Sequence, residues 1–317
     1  MALRRIAVLR VLPGLGDLLC AVPALRAVRA AHPEAHVSLI GLPGAAWFVD
    51  RFAGYVDELL PLTAWPGLPE TPGPIAEADA FVVAARRRRF DLALQLHGDG
   101  TITNDLIDRL GAAERAGMSR AGAWRPSGRF VDITDDMNEA ERLLAVVRAA
   151  GMATPSRPCL EWPETGADVA SLDGVLPRRP FAVIHPGASL PSRRWDPLGF
   201  AAVGDHLADR GLDVVLTGVA GERPITAAVR SAMTAPATDL AGATPLGATA
   251  ALVRRADRVV TNDTGMSHLA AAVGTPSVVV FTATDPRRWK PAPDRHHAVI
   301  AGALGPTIER VLTQLVA

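Results

Sequence analysis

A turn able to bind an anion lies at residues 262–266, with the sequence Asn-Asp-Thr-Gly-Met. A valine-rich run at 258–261 precedes it, and an alanine-rich segment of helical type at 266–273 follows it. A glycine at the start of a helix leaves free N–H groups beside the positive end of the helix dipole, which favours an anion such as phosphate. An ordinary strand–helix–strand crossover with Asp263 as the helix N-cap explains the same pattern.

A second carboxylate, Asp17, lies in a similar place near the start of the chain. An apolar run at 5–11 leads into Pro13-Gly14-Leu15-Gly16-Asp17, and a helical pattern covers residues 18–31. Parallel α/β sheets place their ligands at the carboxyl ends of strands. Asp17 is therefore a candidate catalytic base, and an N-cap role is its alternative.

Strand and helix patterns alternate along the chain in two series. Strand patterns lie at 5–11, 36–40, 56–60, 91–96, 181–184, 213–217, 258–261 and 277–281. Helical patterns lie at 18–31, 45–52, 75–88, 102–110, 136–150, 198–210, 222–232, 245–255, 266–273 and 306–316. A stretch rich in proline and glycine separates the two series.

This alternation predicts an α/β protein with two Rossmann-like, doubly wound domains that face each other across a cleft. We expect an N-terminal domain at 1–160, a linker at 161–180 and a C-terminal domain at 181–317. The sequence does not decide whether the C-terminal helix packs back on the first domain.

The amino-acid composition argues against a nucleic-acid-binding protein, a membrane protein and a disulfide-rich secreted protein. The 317 residues have a formal net charge of zero, so no overall field favours nucleic acid or a membrane surface. No apolar stretch reaches the roughly 20 residues that a transmembrane helix needs. Cys20 and Cys159 are too few for a disulfide framework, which suits a reducing cytoplasm.

Three segments resemble the motifs of glycosyltransferase family 9, the bacterial heptosyltransferases. They are VLRVLPGLGDLLCAVPALRAVRAAHPEAHVSLIG, then HPGASLPSRRW, then TNDTGMSHLAAAVGTPSVVVFTATDPRRW. They occur in the family's order and span nearly the whole chain. The resemblance implies a GT-B fold, in agreement with the two-domain prediction. It also implies an enzyme that transfers a sugar from a nucleotide sugar, with inversion and without a metal ion.

The resemblance further implies roles for individual residues. Asp17 matches the family's catalytic base. Arg193 stands where the family usually has lysine, and with Arg194 it would clamp the diphosphate. Glu222 resembles the carboxylate that holds the nucleoside ribose. The donor-binding set implied in this way is Ala188, Ser189, Arg193, Arg194, Gly218, Glu222, Asp263, Thr264, Gly265, Met266 and His268. For His268, a packing role in its helix is the alternative.

The acceptor side is less defined by these motifs. Gly16, His97 and Asp99 are candidate acceptor-binding residues, and an ordinary loop histidine is the alternative for His97. The family's Gly-Pro after the last strand is Thr282-Ala283 here. The implied donor is a nucleotide sugar, first of all ADP-heptose. The acceptor is a lipopolysaccharide core, another glycolipid or glycan, or a small aminocyclitol-like molecule.

We expect no cofactor and no metal site, because the chain lacks a DxD-type pair or a His/Cys cluster in a suitable loop. We also expect a cytoplasmic monomer with no nucleic-acid partner and no transmembrane segment. Peripheral contact with the inner face of the membrane is left open.

Two other classes of function remain as alternatives. A non-catalytic nucleotide-sugar-binding protein would keep the fold without needing a base at Asp17. An NAD(P)-dependent oxidoreductase is disfavoured, because Leu19 occupies the third glycine position of the dinucleotide fingerprint. Gly41 and Leu42 also stand where an acidic residue would hold the ribose.

Overall fold

The structure, a computed structural model, describes residues 3–291, 296–301 and 305–316. The chain divides into two compact units, Met1–Pro158 and Cys159–Ala317. Each unit contains a six-stranded sheet, and the described strand pairings within it are parallel. The predicted α/β class, with two doubly wound sheets, is confirmed.

The first unit alternates strands with helices. Its strands are β1 (Arg5–Leu9), β2 (His36–Gly41), β3 (Glu58–Pro61), β4 (Leu92–Gln95), β5 (Glu114–Ser119) and β6 (Arg129–Asp132). Its helices are α1 (Leu15–Ala31), α2 (Ala46–Arg51), α3 (Ile75–Arg86), α4 (Thr103–Arg109) and α5 (Glu139–Ala149). The strand order is β3-β2-β1-β4-β5-β6. Because the order reverses between β1 and β4, their carboxyl ends flank the crevice where such sheets bind ligands.

Helices cover both faces of this sheet. On one face, α3 and α4 bury Val82, Leu106 and Ile107 in a core shared with Leu9 of β1. On the other face, α1 packs against α5. The central strands are therefore buried on both sides, which is why their sequences are nearly continuous apolar runs.

The second unit repeats this plan. Its strands are β7 (Phe181–His185), β8 (Asp213–Leu216), β9 (Ala237–Asp239), β10 (Arg258–Asn262), β11 (Ser277–Val280) and β12 (His297–Ile300). Its helices are α6 (Gly166–Ala170), α7 (Pro197–Asp209), α8 (Arg223–Ala232), α9 (Leu246–Arg255), α10 (Gly265–Val273), α11 (Pro286–Trp289) and α12 (Ile308–Val316). The strand order is β12-β11-β10-β7-β8-β9, so the reversal falls between β7 and β10.

The faces of the second sheet are covered by separate groups of helices. On one face, α7, α8 and α12 bury Phe200, Val229 and Leu315 against the strands. Elsewhere in the unit, α10 packs on α9, and α9 packs on α6, the short helix that lies within the stretch predicted as a linker. Among the residues that the structure describes, no helix is both long and apolar enough to cross a membrane.

Neither Asp17 nor Asp263, for which an N-cap role was the alternative, is the N-cap of its helix. Asp17 lies in the first turn of α1, and the N-cap position is occupied by Gly14. Helix α10 is capped by Thr264, whose Oγ1 accepts a hydrogen bond from the Met266 N–H at 3.1 Å. The predicted end of α10 is confirmed, because Gly274 adopts the left-handed conformation with φ of 79°.

A buried cluster of charges joins three elements of the first unit. The Arg10 side chain, just after β1, is 0% exposed, and its Nη1 lies 2.8 Å from Oε1 of Glu139, the first residue of α5. Glu139 is 2% exposed and also lies 3.5 Å from Nη1 of the buried Arg142. Burial alone would lower the pKa of Arg10, but the charges of Glu139 and Asp17 outweigh it and raise that pKa. Arg10 is therefore charged in the folded protein, and Glu139 is its compensating anion.

Replacing this anion should destabilise the first unit. Glu139→Gln leaves two buried guanidinium groups without their shared carboxylate, and removing one partner of a buried ion pair typically costs about 3–5 kcal/mol. Urea denaturation should show a loss of this size in the free energy of unfolding, and hydrogen exchange should locate it in residues 3–158.

Glu141→Gln is the matched control, because Glu141 is exposed in the same first turn of α5. It should change stability by no more than about 0.5 kcal/mol. Equal effects of the two substitutions would show that the Glu139 charge is not needed in the core.

Candidate functional site

Asp17 lies at the carboxyl edge of the first sheet with a partly accessible side chain. The carboxylate is 23% exposed, and its Oδ1 lies 3.9 Å from Nη2 of Arg10. A Cβ atom built on Gly14 would lie only 2.3 Å from Oδ2 of Asp17, so the carboxylate rests against the backbone of that glycine. The neighbouring Gly16 is buried. A glycine at position 14 thus makes room for the carboxylate at the start of α1.

Arg10 positions the first turn of α1. Its Nη2 and Nε donate to the main-chain carbonyl of Asp17 at 2.9 and 3.2 Å. Its Nη1 donates to the carbonyl of Leu96, just past the end of β4, at 2.8 Å. One buried side chain therefore ties Asp17 to both central strands. Arg10 was not among the predicted site residues, although an arginine within the apolar run at 5–11 was a usable signal.

His97 follows β4 and is 4% exposed. Its Nδ1 accepts a hydrogen bond from the Val11 N–H at 3.3 Å, so the neutral ring carries its proton on Nε2. Burial, and then the charge of Arg10, lower the pKa of His97 to about 4. His97 is thus neutral at pH 7, held to the loop that leads to Asp17, and is not a cation for phosphate.

Asp99 is engaged in an ion-pair chain at the same edge. Its Oδ2 accepts from Nε of Arg120 at 2.7 Å, and Arg120 also pairs with Asp135. Burial would raise the pKa of Asp99, but the bonds from Arg120 and Thr101 hold it at about 2. Such a carboxylate is a weak base at neutral pH.

In the second unit, the loop between β7 and α7 carries four of the predicted donor residues. Ala188 is buried and Ser189 is exposed. Nε of Arg194 donates to the Ala188 carbonyl at 2.9 Å, so Arg194 helps to shape the loop. Arg193 is partly buried at the end of a short 3₁₀ turn, Pro191–Arg193. Within the described residues the Arg193 guanidinium makes no hydrogen bond or ion pair, so this group is available to a ligand.

Asn262, the last residue of β10, holds both ends of this loop. Its side chain is 0% exposed. Nδ2 donates to the carbonyls of Pro186 and Gly187 at 2.8 and 3.3 Å, and Oδ1 accepts from the Trp195 N–H at 2.9 Å. Asn262 was not among the predicted site residues, although a polar residue directly after the valine-rich run at 258–261 was a usable signal.

Glu222 and His185 lie together at the ends of β8 and β7. Oε2 of Glu222 accepts from the Val219 N–H at 2.8 Å and lies 3.9 Å from Nε2 of His185. A Cβ atom on Gly187 would lie 2.2 Å from Cδ of Glu222, so the carboxylate is packed on that glycine. Burial lowers the pKa of His185, against the opposing charge of Glu222. His185 was missed as a candidate, whereas Glu222 and the adjacent Gly218 were predicted.

The start of α10 completes this edge of the second sheet. Asp263 is 4% exposed and accepts a hydrogen bond from Oγ1 of Thr284. Thr264 and Gly265 are partly exposed at the helix start, whereas Met266 and His268 are buried in the helix. The helix therefore presents Thr264 and Gly265 at the crevice between β7 and β10.

The departure from the family pattern at Thr282 has a structural role. Its Oγ1 donates to the carbonyl of Ser192 at 2.7 Å. This contact links the segment after β11 to the loop that carries Arg193. Within residues 3–291, 296–301 and 305–316, no group of three or more His, Cys, Asp or Glu side chains is arranged to hold a metal ion.

Comparisons with known proteins agree with the motifs. The family model for glycosyltransferase family 9 (heptosyltransferase) matches residues 80–316. Lipopolysaccharide heptosyltransferase 3 of Escherichia coli is 25% identical over 293 residues, which cover 87% of this chain and 83% of that protein.

Solved structures show the same fold. The E. coli ADP-heptose lipopolysaccharide heptosyltransferase II has a TM-score of 0.74 and 22% identity, over 99% of this chain and 97% of its own. The E. coli heptosyltransferase WaaC with ADP-2-deoxy-2-fluoro heptose has a TM-score of 0.72 and 21% identity, over 98% of each chain. The predicted GT-B class is thereby confirmed. Because the family model covers most of the chain, this protein belongs to glycosyltransferase family 9, the heptosyltransferases, and is a glycosyltransferase.

Proposed function

We propose that this enzyme transfers a heptose from ADP-heptose to a glycolipid or other glycan acceptor, with inversion and without a metal ion. The observation that carries the proposal is the group of Arg193, Glu222 and the start of α10 around the strand-order reversal of the second sheet. This group offers a cation, a carboxylate and a helix N-terminus where a doubly wound sheet binds its ligand. The related WaaC structure was solved with ADP-2-deoxy-2-fluoro heptose, which supports an adenine nucleotide donor.

In this proposal Glu222 accepts hydrogen bonds from the ribose hydroxyls. Its side chain is 12% exposed, and one oxygen is already bonded to the Val219 N–H. The backbone bond and the Gly187 contact fix the direction of the carboxylate before a ligand arrives, which lowers the ordering cost of binding. Gly218 makes room for the same side chain, since a Cβ atom built there would lie 3.2 Å from Oε2 of Glu222.

Arg193 and the first N–H groups of α10 would stabilise the diphosphate as the bond to the sugar breaks. The leaving group gains negative charge during this step, and fixed positive groups that face it lower the barrier. Arginine suits the task because its planar guanidinium donates two parallel hydrogen bonds to phosphate oxygens. Asp263 then faces sugar hydroxyls in preference to phosphate, because a carboxylate would repel the diphosphate.

Asp17 is proposed as the general base. The acceptor hydroxyl attacks the anomeric carbon opposite the departing diphosphate, Asp17 takes the hydroxyl proton, and ADP leaves with the electron pair of the broken C–O bond. Asp99, with a pKa of about 2 and its bond to Arg120, is a poorer base for this step. His97 and Gly16 lie at the same edge of the first sheet and are proposed to border the acceptor.

The acceptor proposed first is a lipopolysaccharide core or related glycolipid, since the E. coli relative is named a lipopolysaccharide heptosyltransferase. We place the reaction in the cytoplasm, with a monomeric enzyme that meets a glycolipid acceptor at the inner face of the membrane.

Donor binding should depend on Glu222 and persist in EDTA. Glu222→Gln keeps an oxygen for the Val219 N–H but loses the charge that holds the ribose, so ADP affinity should fall by about 1–3 kcal/mol. Isothermal titration of ADP in buffer with EDTA measures both effects, and wild-type binding should be the same with and without the chelator.

Glu309→Gln serves as control, because Glu309 is exposed on α12 in the same unit. Its ADP affinity should equal that of the wild type. Loss of wild-type binding on chelation would contradict the metal-free site, and full ADP affinity in Glu222→Gln would move the ribose elsewhere.

Asp17→Asn should abolish turnover and spare donor binding. Removing a positioned base costs a factor of about 10²–10⁴ in rate. Stability should fall by only about 0.3–1 kcal/mol, the usual value of a carboxylate near the helix N-terminus. The single-turnover rate of transfer from ADP-heptose to a heptose-deficient lipopolysaccharide core, measured beside ADP affinity and melting temperature, tests this.

Asp105→Asn is the matched control, since Asp105 is exposed in the first turn of α4 and has the same relation to its helix dipole. It should lose similar stability and keep its turnover. Near wild-type transfer by Asp17→Asn would assign the base to another residue.

A further inference from the structure

Asn262 stands where the backbone ladder between β7 and β10 ends. The last paired residues are Thr261 and His185, and the backbone of Asn262 pairs on its other side with Val280 of β11. Beyond His185, the carbonyls of Pro186 and Gly187 accept no hydrogen bond from the backbone of β10. A buried carbonyl needs a hydrogen-bond donor. The side-chain amide of Asn262 supplies it.

We propose that Asn262 is a positioning residue for the nucleotide-sugar donor. Its amide is fully buried and its three hydrogen bonds all go to the backbone of the loop between β7 and α7, so it acts through the loop. This inference rests on the proposed function, because that loop carries Arg193.

Two contacts connect Asn262 to groups that would meet the donor. The Gly187 peptide that it holds is the surface on which the Glu222 carboxylate is packed. The Trp195 N–H that it accepts lies two residues after Arg193. Asn262 therefore sets the Glu222 side and the Arg193 side of the site relative to each other.

The substitution Asn262→Asp tests this through its pH dependence. An ionised carboxylate still accepts from the Trp195 N–H, but its second oxygen faces the carbonyls of Pro186 and Gly187 and repels them. A protonated carboxyl group donates to the Pro186 carbonyl as the amide does. Burial between two carbonyls raises the pKa of the introduced carboxyl group, so protonation falls within a testable range.

The expected readout is the ratio of the ADP dissociation constants of Asn262→Asp and wild type, by isothermal titration between pH 5.5 and 8. We expect about a 10-fold ratio or more at pH 8, falling to within about 3-fold at pH 5.5. The elements around this position carry other charged or titratable groups, namely His185 on β7, Arg193 and Arg194 in the loop, Glu222 after β8 and Asp263 after β10. These groups are present in both Asn262→Asp and the wild type, and ADP titrates in the same way in both measurements. Their effects therefore largely cancel in the ratio of the two dissociation constants.

Asn104→Asp is the matched control, because the Asn104 side chain is also buried and donates to a backbone carbonyl, that of Trp124, in the first unit. Its ratio should stay near one at every pH. Asn262→Ser removes the same donor without adding a charge and should lose ADP affinity at all pH values. If the melting temperature shows that Asn262→Asp does not fold, Asn262→Ser takes its place in the test.

A ratio near one at pH 8 in a folded Asn262→Asp, or wild-type affinity in a folded Asn262→Ser, would overturn the inference. A large ratio that does not change with pH would overturn it too, because the loss would then not come from the carbonyl contacts. Absence of ADP binding by the wild type would instead overturn the proposed function.

Discussion

Both sheets meet the same constraint where their strand order reverses: the two central strands part, and the carbonyls beyond their ends must find other donors. In the first unit the donor is Arg10, which follows β1 and bonds the Leu96 carbonyl beyond β4. In the second unit it is Asn262, at the end of β10, which bonds the two carbonyls after β7. The proposed base, Asp17, lies 3.9 Å from Arg10, and the loop that Asn262 holds carries Arg193 and packs against Glu222. The need to satisfy buried backbone thus also fixes the position of Asp17 and of the donor loop.

The choice of residue differs between the two places, and the difference has consequences. A buried guanidinium needs a buried anion, so Arg10 brings Glu139 and the start of α5 into the first unit's site. A neutral amide needs no counterion, so Asn262 adds no charge of its own to the site that holds the partly buried Arg193 and Glu222. This arrangement suits a ligand that carries both phosphate and ribose.

Sequence patterns predicted the central strands well because β1, β4, β7 and β10 are buried on both sides and therefore apolar throughout. Four strands away from the two centres, β5, β6, β9 and β12, were not predicted, whereas the edge strand β3 was. Strand β5 contains Glu114, Arg115 and Gly117, and β9 is only Ala237–Asp239, so neither shows an apolar run. The sequence also left the N-caps of α1 and α10 open, because Asp and its small neighbours are all good N-caps. Only the backbone conformation shows that the caps are Gly14 and Thr264.

For the candidate site, the family motifs predicted Asp17, Glu222 and the segment from Asp263 to His268, but not the side chains that hold them. Arg10, His185 and Asn262 act through contacts between residues far apart in sequence, such as the 129 positions between Arg10 and Glu139. No local spacing encodes such contacts. Thr282 shows the reverse case, in which a departure from the motif becomes a hydrogen bond to Ser192 once the loops are in place.

In the proposed function, the nucleotide binds at the carboxyl edge of the second sheet. Hydrogen–deuterium exchange of the wild-type protein with and without ADP tests it most directly, because amide protection reports where the ligand sits. With ADP bound, we expect slower exchange in three loops of the second unit, at residues 187–195, 218–222 and 264–267. Residues 12–17 and 97–101 of the first unit should change little. Protection by ADP confined to the first unit, with those three loops unchanged, would contradict it.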